Sequence, residues 1–312
     1  MWKIITPEEL IILRYSCRNQ IIALQENNQI KALLHLIDDP DEEIYNTVSD
    51  KIISLGKDII PNLEHFWETV NNESTQERIE WLIHRLHYRD LTQEFSEWIQ
   101  QDADLLSGSM IVSKYHYPDI KPNFVFQEIE KLRRNTWLEL NNYLTPIERI
   151  NIVNSIFYNY YKQNGVEISY NNPDPFLINK TLENKSGNAI SNGIIYLILC
   201  HLLDIPVKAI GIPKQFILAY FEESTHSLDY NKHASQNIIF YIDPVNGQMY
   251  TQRDIENYFK RIALPMSSSY FKPLSNQKVI RVLLQELSLC FDNENNRYKM
   301  DEINQLAQMI TK

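Results

Sequence analysis

Glycine is scarce in this chain, with 7 residues among 312. No glycine-rich phosphate-binding loop of the Walker or dinucleotide type occurs in the sequence, which argues against the common nucleotide-binding sites. Four of the glycines, Gly187, Gly193, Gly211 and Gly247, fall in one central span. Because glycine permits tight turns and close backbone approach, we expect the most demanding backbone geometry in that span.

Cysteine and long apolar runs are also scarce. The three cysteines, Cys17, Cys200 and Cys290, are odd in number and far apart, which favours a reducing, cytoplasmic compartment over a disulfide framework. No apolar run approaches the roughly 20 residues needed to span a bilayer. Charged residues from Glu8 onward interrupt the N-terminal apolar stretch, so it indicates an amphipathic helix rather than a signal peptide.

Positive charge is in the minority, with 30 Lys and Arg against 40 Asp and Glu and a formal net charge of -10. Binding to nucleic acid or to an anionic membrane needs clustered cations, so we expect neither as a partner. A protein or small-molecule partner is expected instead. The content of hydrophobic residues, 44%, is that of an ordinary soluble globular protein.

The first third of the chain has a helical pattern. Two apolar series with the spacing of one buried helical face predict a pair of packed helices: Ile30, Leu33, Leu34 and Ile37, then Ile44, Val48, Ile52 and Leu55. Between them, Asp39 is predicted to cap the second helix, with Pro40 in its first turn and Glu42 completing a capping box, and Gly56 is predicted to end it. Helix pairs of this kind resemble HEAT-like repeats, which we assign to residues 1–105.

The centre of the chain changes its period. Thr145 and Glu148 form a second predicted capping box, which opens a helix with Ile150, Val153 and Phe157 along one side. A separate, almost wholly apolar helix is predicted over residues 194–203. Three strand-like runs then predict an antiparallel sheet against that buried helix: Val207 to Ile212, Gln215 to Phe221, and Asn237 to Ile242. From Asn276 the pattern predicts a closing helical hairpin. The fold class expected is therefore α+β and mostly helical.

Two central segments, "LENKSGNAISNGIIYLILCHLLDIPVKAIGIPKQFILAY" and "FYIDPVNGQ", carry a family resemblance. They are similar to the SirB family of transglutaminase-like proteins with tetratricopeptide repeats, whose pattern is approximately L-E-R-R-x-G-x-P-I-S-L, L-G-L-P-V, L-P-G-H-F and F-I-D-P-F-N-G-G. The matching positions are Leu182, Glu183, Gly187, Ile190, Ser191, Ile205, Pro206, Val207, Pro213, Phe216, Ile242, Asp243, Pro244, Asn246 and Gly247. The resemblance implies a transglutaminase-like core over residues 106–272 and a tetratricopeptide-like hairpin over residues 273–312.

The resemblance also assigns a site. In catalytic relatives of the fold, Cys, His and Asp form an acyl-transfer triad, and the matching positions here are Ser191, Gln215 and Asp243. Only the aspartate keeps its residue type. A serine hydroxyl needs a base, and the carboxamide of Gln215 has no useful basicity near neutral pH. The family pattern is further broken by Ala189, Asn192 and Lys214, where it has proline, leucine and glycine.

Three uses of these positions remain open. The first is a structural bridge in which Ser191 donates to Gln215 and Gln215 donates to Asp243. The second is a remodelled ligand-binding pocket. The third is an acyl-transfer enzyme or peptidase that uses Ser191 with a base not yet identified, such as His226 or His233 from the polar segment before residue 237.

Other candidate residues have simpler explanations. Cys200 and His201 are neighbours on one helix and point in different directions, so a buried structural thiol and a packed histidine are expected. His84 and His87 have a spacing that suits a metal, but no further ligand motif accompanies them. We therefore predict no metal and no cofactor, and a non-catalytic protein-binding scaffold or regulator of bacterial, cytoplasmic type.

Overall fold

The computed structural model describes residues 29–222 and 237–310. The chain divides between Asp90 and Leu91 into two compact units, and it is mostly helical with a small antiparallel sheet, which confirms the predicted α+β class. The domain bounds 1–105, 106–272 and 273–312 stay a prediction. Cys17, the expected N-terminal amphipathic helix, His226 and His233 lie outside the described residues.

The first unit contains a series of helices. Helix α1 covers residues 29–35, α2 covers Glu42–Leu55, α3 covers Ile60–Thr69, and α4, Glu73–Gln100, begins here. Six of the eight residues in the two predicted series belong to a common core or pack against it, whereas Ile44 and Leu55 are exposed, so the prediction of a buried position is wrong for these two. The core members with almost no exposed surface include Ile37, Val48, Ile52, Ile59, Leu63, Ile79, Leu82 and Leu86. The HEAT-like character of these helices stays a prediction.

The start of α2 differs from the sequence-based expectation. The N-cap is Asp41, whose side chain accepts from the backbone N–H of Glu43, whereas Asp39 accepts from the N–H of Asp41 at 2.9 Å. Asp39 therefore shapes the turn before the helix and does not cap it. Gly56 ends the helix as predicted, with a φ of 84° that favours glycine.

The second unit contains the other helices and the sheet. Its helices, after α4, have these bounds: α5 Leu105–His116, α6 Pro122–Glu139, α7 Pro146–Asn154, α8 Ile178–Asn184, α9 Ala189–Leu202, α10 Gln252–Arg261, α11 Asn276–Ser288 and α12 Arg297–Met309. The predicted capping box of Thr145 and Glu148 opens α7, which continues into a π-helical turn at Ser155–Tyr160. Helices α11 and α12 pack together as the expected hairpin.

The strands form two sheets. Short strands β1 (Asn164–Gly165) and β2 (Ser186–Gly187) pair in parallel, and the main sheet has the order β3-β4-β5-β6 with antiparallel pairing throughout. Its strands are β3 Val207–Ile212, β4 Gln215–Phe221, β5 Ile238–Ile242 and β6 Met249–Tyr250. The three strands predicted from alternating and apolar runs are thereby confirmed, apart from Asn237, which precedes β5.

The main sheet lies between two helical layers of this unit. Helix α9 contacts β3 and β4 on one face, and its residues from Ile190 to Cys200 are buried. On the opposite face, α10 and the turn Ser268–Phe271 close a second apolar core, formed by Ile210, Ile212, Ile217, Ala219, Phe221, Tyr241, Ile255, Phe259 and Phe271. Alternation of side chains along β3 and β4 supplies both faces.

None of the helices within residues 29–222 and 237–310 combines the length and the apolarity that crossing a bilayer requires.

Candidate functional site

Ser191 lies in the first turn of α9, as predicted. Asn188 is the N-cap, and its side-chain oxygen accepts from the backbone N–H groups of Ile190 at 2.9 Å and Ser191 at 3.1 Å. The serine is 2% exposed. Its hydroxyl donates to the backbone carbonyl oxygen of Pro175 over 2.5 Å. Because a hydroxyl has one proton, the predicted donation from Ser191 to Gln215 is wrong.

Buried amides surround the serine. The Nε2 atom of Gln163 donates to Oδ1 of Asn192 at 2.9 Å, and Nδ2 of Asn192 donates to the Asn164 carbonyl at 3.2 Å. Gln163, Asn188 and Asn192 are each at most 1% exposed. We refer to Gln163, Asn188, Ser191 and Asn192 as the polar cluster. It joins the start of α9 to strand β1.

Gly187 allows the polar cluster to close. A Cβ atom on this residue would lie 2.5 Å from both the Oγ of Ser191 and the Oδ1 of Asn192. It would also lie 2.6 Å from a methyl carbon of Thr181. Real Cβ atoms do not approach neighbours this closely, so the backbone of β2 seals the serine on this side.

Gln215 and Asp243 lie in a different environment from Ser191. Gln215 is the exposed first residue of β4, and Asp243 directly follows β5. Both line a cavity of about 380 Å³ between the sheet and α10, which we call the α10 cavity. Its full lining is Ile212, Gln215, Ile217, Asp243, Tyr250, Asp254, Ile255, Asn257, Tyr258 and Arg261. Ser191 is absent from it, so the structure brings together two of the three predicted positions.

Packing between α9 and the sheet accounts for this separation. A Cβ on Gly193 would lie 2.5 Å from the ring of Phe216 and 3.3 Å from Pro244. These two residues immediately follow Gln215 and Asp243 in the sequence. Successive side chains of a strand point to opposite faces, so Phe216 faces α9 while Gln215 faces the α10 cavity.

The loop that carries Asp243 is held by the region after α7. The hydroxyl of Tyr158 donates to the Pro244 carbonyl at 2.9 Å, and Nδ2 of Asn154 donates to the Gly247 carbonyl at 2.8 Å. Within the loop, a carboxylate oxygen of Asp243 accepts from the N–H of Val245 at 2.8 Å. Asp243 is thereby fixed in position with its carboxylate at the cavity wall.

Two tyrosines beside the Asp243 loop, Tyr158 and Tyr250, have raised pKa values. Burial, and then the negative charge of Asp243, raise the pKa of Tyr158 far above that of a free tyrosine. Burial and the Asp243 carboxylate likewise raise the pKa of Tyr250. At neutral pH both tyrosines are therefore donors and not bases.

Among residues 29–222 and 237–310, no base is hydrogen-bonded to Ser191. Within the described chain, its hydrogen-bond partners are Pro175 and Asn188, and neither can take up a proton near pH 7. Gln215 and Asp243 face another space. The described part of the site can hold its serine rigidly, but it supplies no proton acceptor for a nucleophile.

The remaining predicted candidates have the following places. Cys200 is fully buried, and burial raises the pKa of its thiol strongly, which matches the expected structural role. His201 is exposed and borders a separate cavity beside α5, so the expected packing of this histidine is wrong. His84 and His87 lie on α4, and no cluster of three metal-ligating side chains occurs in residues 29–222 and 237–310.

Several residues of the site were missed by sequence reasoning. Gln163 comes from a segment with no motif, and Asn154 ends the helix predicted after Thr145, whose apolar pattern gives no role to this polar residue. Asn192 did carry a signal, since it stands where the family pattern has leucine. Arg261 and Asp254 lie seven residues apart on α10, which places them on one face, but only the packed structure shows that this face borders Gln215 and Asp243.

A protein-family model matches the central part of the chain. The profile described as transglutaminase-like superfamily covers residues 123–285, which is just over half of the chain. This range includes α9, the main sheet and α10, together with all three predicted site positions.

Curated relatives cover a similar part. The chain is 25% identical over 189 residues to protein SirB1 of Salmonella typhimurium strain LT2, which is 60% of this chain and 66% of the relative. It is 24% identical over 196 residues to the UPF0162 protein YchA of Escherichia coli strain K12, covering 62% and 68%. A UPF0162 protein of Vibrio cholerae matches 49% of this chain at 23% identity.

The match therefore spans just under two thirds of the length of SirB1. No solved structure matches the chain.

Proposed function

This chain belongs to the transglutaminase-like superfamily and is a SirB-family protein, and from that premise we propose that it binds partners without transforming them. It acts as a protein-binding scaffold or regulator. The observation that carries this proposal is the burial of Ser191, whose hydroxyl is bound to the carbonyl of Pro175 and lies apart from Gln215 and Asp243.

Chemistry at the three positions supports the same proposal. Catalytic serines are activated by an adjacent base, and among residues 29–222 and 237–310 the Ser191 hydroxyl is bonded to a backbone carbonyl and to Asn188, neither of which is a base. Cleavage of an acyl bond also needs the bond to reach the nucleophile. A serine enclosed by Gly187, Pro175 and the polar cluster offers no such approach.

An exposed apolar stripe in the first unit supports partner binding. Ile44 and Leu55 lie on α2, each 40% exposed, and their separation of eleven residues places them on one face about three turns apart. Between them on this side of the helix lie Val48 and Ile52, which are buried, so the two exposed side chains border the apolar core of the unit. We assign the partner-binding surface to this face of α2.

The test of the non-catalytic proposal is intact-mass measurement after exposure to a fluorophosphonate and to an activated ester. We expect no adduct on Ser191 in the wild type and the same mass profile for Ser191→Ala. A stoichiometric adduct that the variant loses would establish a reactive serine and overturn the proposal.

Partner binding has its own test. Proteins retained by the wild-type chain from a bacterial extract should also be retained by Ser191→Ala, and they should be lost with the double variant Ile44→Lys, Leu55→Lys. The matched control is the double variant Asn46→Lys, Ser54→Lys, which adds two lysines at exposed polar positions of α2. Equal retention by every variant would contradict the assignment of the surface.

A further inference from the structure

The α10 cavity has the size and lining of a ligand site. Its volume of about 380 Å³ lies within the range of roughly 300–1,000 Å³ that is typical of small-molecule sites. Three isoleucines, Ile212, Ile217 and Ile255, provide an apolar wall. Polar groups lie around it, which is the usual composition of a site that both binds and orients a ligand.

Charge in the cavity is divided between two ends. Asp254 lies in the first turn of α10, and it lines the cavity together with Asp243 and Tyr250. Arg261 is the last residue of the same helix. Seven residues separate Asp254 from Arg261, so the acidic and basic ends are about 10 Å apart along the helix axis.

Asp254 accepts from the backbone N–H and the hydroxyl of Thr251, and Asp243 interacts with the Tyr250 hydroxyl, so both carboxylates have neutral donors beside them. Among residues 29–222 and 237–310, neither Asp243 nor Arg261 has an ion-pair partner; Asp243 accepts from the Val245 N–H, and the guanidinium of Arg261 lies 5.4 Å from the Tyr258 ring centre. Asp243 is only partly exposed. A partly buried carboxylate is stabilised by an opposite charge, so this end favours a cationic group.

We propose that the α10 cavity binds a zwitterionic, peptide-like ligand about three residues long, a proposal that builds on the non-catalytic function. The cation of the ligand pairs with Asp243, its anion pairs with Arg261, and an apolar middle packs on the isoleucine wall. An extended chain advances about 3.3 Å per residue, so the two termini of a tripeptide lie about 10 Å apart. It is close to the rise along α10 between Asp254 and Arg261, which both line the cavity.

The same chemistry has two sources, which are a free oligopeptide and a protein segment with a basic and an acidic side chain. Isothermal titration calorimetry on the full chain separates them with three probes. These are the free tripeptide Ala-Leu-Ala, the blocked peptide acetyl-Lys-Leu-Ala-Glu-amide, and the uncharged acetyl-Ala-Leu-Ala-amide. We expect saturable 1:1 binding of a charged probe and none of the uncharged one. The charged probe that binds identifies the source.

The assignment of the two ends is tested with Asp243→Asn and Arg261→Gln. Asparagine keeps an oxygen that can accept from the Val245 N–H, so the loop is retained while the charge is lost. Each variant should weaken binding of the charged probe about tenfold or more. Lys260→Gln is the matched control, because Lys260 is an exposed cation on the same helix that does not line the cavity. Its affinity should equal that of the wild type.

Absence of saturable binding by both charged probes, or equal binding of all three, would overturn the inference. So would unchanged affinity in both charge variants when their unfolding curves match the wild type. Mass analysis of the recovered peptide separates this inference from the proposed function. A cleaved or protein-linked peptide would contradict the non-catalytic proposal and leave the binding site in place, whereas an intact peptide is expected.

Discussion

The two halves of the site differ in how far their polar groups are satisfied. Around Ser191, a hydroxyl and three side-chain amides are buried, and most of their hydrogen bonds are made within the chain. Around Gln215 and Asp243, the side chains border an open cavity, and the charges of Asp243 and Arg261 lack ion pairs within the described residues. The half around Ser191, which we call the serine half, is closely packed and has no space for a ligand. The half around Gln215 and Asp243 borders an open cavity.

This difference shows that the three positions that match a catalytic triad can lie in different environments. The start of α9 is fixed by helix capping and by close packing against Gly187, which are local requirements of the fold. The ends of β4 and β5 face the second helical layer, where α10 contributes its own polar residues. The positions of Ser191, Gln215 and Asp243 are therefore determined by different neighbours.

The largest expected change in stability comes from disturbing the close packing around Ser191. Gly187→Ala should lower the free energy of unfolding by about 2–3 kcal/mol, because the added methyl group meets Ser191 and Asn192 at 2.5 Å. Urea unfolding followed by circular dichroism measures this change.

The control for closure is Gly211→Ala in β3. There the nearest atom to an added Cβ is a methyl carbon of Leu274 at 3.8 Å, an ordinary contact. Its stability should stay within about 0.5 kcal/mol of the wild type. Equal stability of both variants would show that the serine half can relax and is not closed.

Anchoring of the Asp243 loop gives the next effect. Asn154 donates to the Gly247 carbonyl and accepts from the buried hydroxyl of Tyr196 at 2.9 Å. Asn154→Ala leaves both groups without this partner, and we expect a loss of about 2 kcal/mol in the same unfolding assay. Tyr158→Phe removes one bond, to Pro244, and should cost about 1 kcal/mol.

The order of these two variants is the informative result. If Tyr158→Phe destabilised the protein more than Asn154→Ala, the loop would depend chiefly on the tyrosine, and the buried Tyr196 hydroxyl would have found another partner.

The smallest expected change in stability is the one caused by protonation of Glu128 at low pH. Burial alone would raise the pKa of Glu128, but donation from Lys185 at 2.6 Å and from Tyr161 outweighs it and holds this pKa below the ordinary value. Such a carboxylate stabilises the fold above the pKa of a free glutamate and loses this contribution as pH falls through its lower folded-state pKa. Burial also lowers the pKa of Lys185, which limits the gain.

We therefore expect Glu128→Gln to be less stable than the wild type at pH 6, by up to about 1 kcal/mol, with the difference shrinking toward pH 3. Unfolding curves across this pH range provide the measurement. Glu139→Gln, an exposed change on the same helix, should show no such trend. A gap that widens as the pH falls would reverse the assigned sign.

The elements of the fold could be predicted where burial repeats along the chain. The apolar helix that became α9 and the runs that became β3 and β4 have patterns that local burial imposes directly. The cap of α2 was assigned to the wrong aspartate because Asp39 and Asp41 both flank Pro40, and both make capping-type bonds to nearby N–H groups.

The interactions of the site could be predicted only in part. Ser191 was placed correctly at a helix start, yet its acceptor is the carbonyl of Pro175, sixteen residues earlier in a 3₁₀ turn. No periodicity encodes a contact of that kind. The residue types at Gln215 and Asp243 suggested a bridge with Ser191, and the alternation of side chains across β4 prevents it.

The direction of the Tyr158 side chain depends on the number of residues in the π-helical turn after α7. The N–H of Tyr161 bonds to the carbonyl of Ile156, five residues back, at 2.7 Å, so this turn holds one residue more than an α-helix would. Deleting a residue early in Ser155–Tyr160 would rotate Tyr158 by about 100° about the helix axis and carry its hydroxyl away from Pro244. The position of Asp243 therefore depends on the number of residues in this turn. An insertion or deletion there would change the site more than most substitutions within it.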